Sequence, residues 1–367
     1  MLAQIDHIIS SIDSFIWGIP MLVLVMLTCI LYTFGLKFMS IRKLPLALKS
    51  LFQNDDDGEG EVSPFGAICT TLAANLGTGS IVGVATALVA GGPGALLWLW
   101  IAIALGMATK YAEGFLAVKY RSIDEEGHVL GGPFYYIERG MGAKWKPLAL
   151  LFAFLGGVAT AGGIGTATQI NGICDTVKNL VDPDSKYMLS LGSLEYSWCV
   201  VVVSIVLSIV LIIILAGGLK RVSQFAEVVV PIMAVIYIGY CIAILVFNVG
   251  SIPKAFYNVF VGAFNPAAIT VGAIGSFFVV MQTGIARSVF SGELCLGSAP
   301  IAAAAAKTND PVKQGLITMT SNFVVFLICT CTGIAIVATD SWNVGLNGVS
   351  VTTPLSRWDF LLFPRRW

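Results

Sequence analysis

The chain is predicted to be an all-α membrane protein organised around paired, interrupted helices. Three observations carry this. Hydrophobic residues make up 57% of the 367 residues and charged residues 11%, against ~25% charged in a soluble globular protein, so too little polar surface exists to coat a water-soluble body. The apolar residues fall in runs near the ~20 needed to cross a bilayer as a helix. Two runs carry polar, glycine-containing interruptions, which hydrocarbon tolerates only against protein or a watery cavity.

Eight such runs occupy residues 15–36, 65–90, 95–118, 148–169, 198–216, 226–247, 268–290 and 315–338. The loops orient them. Lys37, Arg42, Lys43 and Lys49 follow span 1; Lys119, Arg121, Arg139, Lys144 and Lys146 follow span 3. Lys220 and Arg221 follow span 5, and Arg287, Lys307 and Lys313 surround the link between spans 7 and 8. The other side holds Lys178, Lys186 and Lys254. The positive-inside rule then places the N-terminus outside and ends every odd span in the cytoplasm. The acidic stretch 55–61 reads as solvated cytoplasmic loop. The first run lacks a basic n-region and is too long for the h-region of a cleaved signal.

Several function classes drop out. Net charge is zero with no basic tract, which argues against a nucleic-acid partner. The eight cysteines lack CxxC spacing and mostly lie in apolar runs, where they read as small packing residues. Only His7 and His128 exist, both outside the spans. Without an HExxH or a deep Ser–His pairing, no enzyme is expected, and no cofactor.

Span 2 contains Asn75-Leu76-Gly77-Thr78-Gly79-Ser80 at its centre. Gly79, Gly83 and Ala87 form a small-residue stripe suited to close helix packing, yet that stripe does not account for the clustering of Asn75, Thr78 and Ser80. An unwound turn at Gly77–Gly79 would expose carbonyls and these side chains to a ligand, as in secondary transporters. Span 7 carries a second polar interruption at Gln282-Thr283-Gly284, with Phe277 and Met281 on the same run. Spans 2 and 7 cross in opposite directions, the arrangement an inverted repeat requires. Neither interruption holds a carboxylate, so a cation such as Na⁺ would rest on neutral oxygens of Thr78, Ser80, Asn75 and the main chain. Half-helix N-termini favour a ligand carboxylate, which suits a zwitterionic amino acid. Lys110 and Glu113 share a face of span 3 and form a candidate structural pair or cytoplasmic gate. In span 4, Gly157, Ala161 and Gly165 read as a packing stripe, and Gln169 and Asn171 as candidates to line a vestibule.

The residues resemble the alanine or glycine:cation symporters of the amino acid–polyamine–organocation superfamily. The resemblance rests on 75–85, on Gly91-Gly92-Pro93-Gly94-Ala95 with Trp98 and Trp100, on Thr109-Lys110-Tyr111-Ala112-Glu113, on 131–138, on 284–291 and on Gly297-Ser298-Ala299-Pro300. It covers about residues 65–340. It implies a leucine-transporter-type inverted-repeat fold and uptake of alanine or glycine across a prokaryotic inner membrane, coupled to Na⁺ rather than H⁺. The chain departs from the family pattern in Ser291-Gly292-Glu293-Leu294-Cys295, in Val325-Phe326 and in Ser80.

The expected organisation is an extra N-terminal helix and acidic loop (1–63), a first five-helix repeat (64–247), the start of a second repeat with two helices (248–354), and a short charged tail (355–367). The second repeat is therefore expected to be incomplete, with a tail that reads like a shifted reading frame. The expected function is sodium-coupled symport of a small neutral amino acid by alternating access; the alternative is a truncated, transport-inactive membrane protein. Asn75, Gly77, Thr78, Gly79, Ser80, Phe277, Met281, Gln282 and Gly284 are the expected substrate and ion residues, with Na⁺ at Thr78 and Ser80 and with Lys110 and Glu113 as the charged pair. The lipid bilayer is the expected surround.

Overall fold

The computed structural model describes residues 18–53, 58–77, 79–163, 165–182, 188–191, 194–265 and 277–342. Thr78, the start of span 7, part of the acidic stretch and the charged tail lie outside them. The described chain is overwhelmingly helical. Helix α1 (Ile19–Gly35) buries Leu22, Val25, Cys29 and Thr33, a three-to-four-residue stripe, and turns its remaining leucines and valines outward. Lys37 and Phe38 adopt left-handed backbone angles (φ 52° and 55°). Two short helices follow, α2 (Met39–Arg42) and α3 (Leu44–Ser50).

Span 2 is two helices. α4 (Pro64–Asn75) starts with proline in its first turn, where the missing N–H costs nothing, and with Ser63 Oγ accepting from the Gly66 amide at 2.8 Å. The Ser63 hydroxyl also donates to Glu227, tying this end to a later helix. α5 (Val82–Gly91) resumes after six residues. Gly92, in a positive-φ turn, and Pro93 then lead into α6 (Ala95–Lys119), the buried spine of the molecule.

A two-residue ribbon of β1 (Ser122–Ile123) and β2 (Val129–Leu130) precedes α7 (Pro133–Met141). The predicted span 148–169 is not one helix: α8 (Lys146–Ala161) and α9 (Thr166–Val181) are separated at 162–165. Gly163 and Gly165 take φ of 68° and 87° there, angles open to glycine. The packing stripe read in this span differs in the structure: a Cβ added at Gly157 would meet no other described residue within 4 Å.

A hairpin of β3 (Met188–Leu191) and β4 (Leu194–Ser197) leads to α10 (Trp198–Leu215). α11 (Gly218–Phe247) begins eight residues before span 6 and contains Pro231. The sequence reading did not foresee α12 (Ile252–Phe264), whose stripe of Ala255, Val259, Gly262 and Ala263 is buried. Last come α13 (Phe277–Gly292), the six-residue α14 (Ala299–Ala304) and α15 (Pro311–Ala338), the last capped by Asp310 accepting from Val312 N at 2.8 Å. Among the described residues, α6, α10, α11 and α15 are long and apolar enough to cross a membrane, and α1 and α5 are shorter apolar helices.

The core is the α6–α15 pair, locked by reciprocal glycines. Gly114 of α6 lies under Thr318, Gly315 of α15 faces the Tyr111 ring, and Gly333 receives Leu96. Between membrane helices such contacts replace the hydrophobic effect as the source of affinity. Gly284 of α13 likewise sits against the Ala95 carbonyl and Trp98 Cβ. Gly284→Ala should therefore cost about 1–3 kcal/mol through overpacking, whereas Gly156→Ala, in open space on α8, should gain up to about 1 kcal/mol of helix propensity. Thermal unfolding of the purified variants in detergent checks the pair; equal melting temperatures would count against this packing.

Candidate functional site

At the span-2 interruption the carbonyls of Ala74, Asn75 and Gly79 accept from side chains. Ser80 Oγ donates back to the Asn75 carbonyl at 2.6 Å. Gln169 Nε2 on α9 donates to the Ala74 carbonyl at 3.2 Å, and its amide lies 3.0 Å from where a Cβ on Gly77 would stand. Gln169 thus reaches the break; Asn171 turns to Asp175 at 3.3 Å on the exposed side. Ser291, at the end of α13, donates to the Gly79 carbonyl at 2.7 Å.

The second interruption does not lie at Gln282-Thr283-Gly284. Helix α13 runs unbroken through these residues, and they form a packing surface: Thr283 meets Gly91, and Gly284 meets Ala95 and Trp98. Phe277 joins an aromatic cluster with Trp98 (5.5 Å) and Phe264 (6.4 Å). Met281 packs in an apolar group with Leu22, Ala102 and Ile285, and Gln282 is half-buried. Gly284 is nine residues, about 13 Å of helix, short of the true break.

That break spans 293–298. Glu293 and Cys295 take left-handed angles (φ 47° and 60°) without being glycine, and Gly297 follows at 77°. Such backbone costs of order 1–3 kcal/mol per residue and clusters at functional sites. Glu293 puts a carboxylate in this break, contrary to the expectation of neutral oxygens alone; Ser298 Oγ donates to it at 2.6 Å. Leu294 plugs the notch left by Gly106 on α6.

Two buried amides mark where the breaks converge. Asn75 is 1% exposed and Asn322, on α15, 0%, and all four of their side-chain N and O atoms lack a hydrogen-bond partner. A Cβ on Gly292 would lie 3.5 Å from Asn322 Oδ1, and one on Gly79 3.5 Å from Ser291 Cα. Unpaired buried amides are costly, and each of these stands beside one of the two breaks. By contrast, the carbonyls of Ala74, Asn75 and Gly79 already accept side-chain donors, so the break offers fewer free main-chain oxygens than its sequence suggests. Asn322 and Ser291 were not among the expected site residues. The signal for Asn322 was a lone amide in a membrane-depth apolar run; for the break, it was Gly292 and Gly297 bracketing four residues.

Lys110 and Glu113 pair within α6, Nζ to Oε2 at 3.2 Å, with Lys110 fully buried. Gly106, one turn earlier on α6, holds Leu294 of the second break, and Thr109 donates to Cys29 of α1 at 3.3 Å. The pair is thus a neighbour of the break.

The profile of the sodium:alanine symporter family matches residues 2–356 of the chain. An uncharacterized transporter of Haemophilus influenzae is 46% identical over 351 residues, 95% of this chain and 73% of the relative. The sodium/alanine symporter AgcS of Methanococcus maripaludis is 43% identical, over 90% of this chain and 70% of its own length. A probable sodium/glutamine symporter, GlnT of Bacillus subtilis, is 33% identical over 95% of this chain and 69% of its own length.

Glu113→Gln leaves Lys110 charged and unpaired, and should cost about 3–5 kcal/mol; replacing both by apolar residues of similar volume should cost far less. Unfolding of Glu113→Gln and of the Lys110→Met, Glu113→Leu double variant checks this. A double variant no more stable than the single would contradict a pair held by mutual charge.

Proposed function

The chain belongs to the sodium:alanine symporter family, and we propose that it carries a small neutral amino acid with Na⁺ across a prokaryotic inner membrane by alternating access. The convergence of the two broken helices on the unpaired amides of Asn75 and Asn322 is the observation that most favours this reading. The amide oxygens supply neutral ligands of the kind a monovalent cation takes, with Ser80 and Thr78 close to Asn75 in the chain. The C-terminal end of α4 points partial negative charge at the break, and the N-terminal end of α5 partial positive charge. A zwitterion finds a partner for each of its charges in that field. Gln169 pressing on Gly77 narrows the span-2 side, which favours alanine or glycine over a larger side chain.

In this reading, α4–α5 opens a first repeat within 64–247 and α13–α14 opens a second from 248 onward, as in the leucine-transporter-type fold. The N-terminus lies outside, and the cationic loops face the cytoplasm. Gln282, Phe277, Met281 and Gly284 serve the site indirectly, by seating α13 against α6 so that Ser291 meets Gly79. The relation to a probable sodium/glutamine symporter makes glutamine the competitor to be measured alongside alanine and glycine. Sodium-stimulated uptake of labelled alanine into proteoliposomes is the direct test; uptake indifferent to replacing Na⁺ by K⁺ would contradict the coupling.

A binding measurement separates ion from substrate. Ligand that binds only the folded state raises stability by about 2.7 kcal/mol at a hundred times its Kd, so the melting temperature should rise when NaCl replaces KCl at constant ionic strength. Asn322→Leu should melt higher than wild type in KCl, because an unpaired buried amide is removed, and should lose the sodium shift. A preserved shift would exclude Asn322 from the cation site.

A further inference from the structure

Below the two breaks, the segments that enter α4 and leave α14 are bound to each other. Val62 and Ala306 form a parallel β-bridge. Glu61 N and Val62 N donate to the Ala305 carbonyl (2.9 and 3.1 Å), Lys307 N to Val62 O (2.7 Å) and Thr308 N to Glu59 O (3.2 Å). The fit is backbone on backbone: a Cβ on Gly58 would lie 2.7 Å from the Lys307 carbonyl carbon. Arg121, just past the end of α6, clamps this ribbon. One guanidinium nitrogen donates to the carbonyls of Ala304 and Ala306 (2.6 and 2.7 Å), the other to those of Glu59 and Thr308 (2.6 and 2.7 Å). Burial lowers the guanidinium's pKa from its ordinary value while the Glu59 carboxylate raises it.

Behind the ribbon, Val62, Ala67, Ala305 and Ala306 form an apolar plug. Behind the plug, Thr71, Gln314, Thr318 and Ser321 face one another across a closely packed gap with no room for a water molecule. Gln314 is 1% exposed, and its Oε1 has no hydrogen-bond partner. Ser321 adjoins Asn322. Thr71 is also one turn from Asn75 on α4, so a seam of polar side chains lies between the amides at the breaks and the plug.

We infer that Arg121 is a positioning residue that latches the closed exit of the transport path, holding the two broken helices together until the ribbon opens and the seam joins water. This rests on the transport reading for what travels along the seam. A fork geometry is required, because four carbonyls on two segments are bridged by two nitrogens of one planar group. Lysine, a single point charge, reaches fewer of them. No covalent bond is involved, so the latch reopens without chemistry.

The test places one cysteine in the seam, Thr71→Cys, in the full chain with its eight native cysteines replaced. A charged thiol reagent is applied to membranes from the face that carries Arg121. With Arg121 intact, labelling should be slow. With Arg121→Ala it should be about tenfold faster or more, since labelling follows the population of the open form, and Arg121→Lys should fall between. Ala263→Cys, buried near the far end of α6, is the control for general loosening and should not change. An unchanged rate at Thr71→Cys in both Arg121 variants, or equal acceleration at Ala263→Cys, overturns the latch. The labelling reads the latch whether or not alanine is carried. Absent uptake with fast labelling sinks the transport reading alone.

Discussion

A backbone that leaves the helix inside a membrane must find its hydrogen bonds in the protein, and this requirement organises the molecule. The span-2 break is tolerable because donors are brought to its carbonyls from three directions: Ser80 from within, Gln169 from α9 and Ser291 from the end of α13. The last of these joins the two interrupted helices directly. Neither break is a local accident of glycine content; each persists because other helices are held where they serve it. Each orphan carbonyl left in hydrocarbon would otherwise cost several kcal/mol.

Holding those helices falls to α6. Its glycines admit Leu294 from the second break and Thr318 from α15, and its first turn seats α13 through Gly284 and Trp98. Its buried ion pair stands one turn beyond the Leu294 notch. Such a pair adds little net stability, because desolvation consumes most of its attraction, but it penalises any rearrangement that separates the charges. The strain at Glu293 and Cys295, the unpaired amides of Asn75 and Asn322 and the buried charges all lie on or beside the two breaks. Away from them, α10 turns valines and isoleucines outward along its length, as expected of a helix whose solvent is lipid.

Much of this was legible in the residues. Four of the eight apolar runs coincide with described helices long and apolar enough to span, α6, α10, α11 and α15, since length and hydropathy need no tertiary context. The Asn75–Ser80 cluster announced its own break, because polar side chains and glycines coincide there. The second break was misplaced because Gln282-Thr283-Gly284 has the same composition but a different partner: Gly284 lies under the backbone of α6, where small size is demanded by packing and the helix continues. The real break is carried by Glu293 and Cys295, residues whose type gives no hint of a left-handed backbone. The split between α8 and α9 was hidden in an apolar run, although Gly162, Gly163 and Gly165 were in view. Asn322 went unnoticed because a single amide in α15 acquires meaning only when Gly292 and Ser291 are placed beside it. Arg121 read as one more cytoplasmic charge, since its partners are carbonyls, which every residue has.

The central claim is that two broken helices meet and keep a pair of buried amides ready for a cation. A structure determined in saturating sodium, set against one in potassium, tests it most directly. The account predicts breaks at 76–81 and 293–298 joined through Ser291 and Gly79, with sodium-dependent density between the Asn75 and Asn322 side chains. Amides bonded to protein groups in both salts, or a helix running unbroken from α4 into α5, would contradict it.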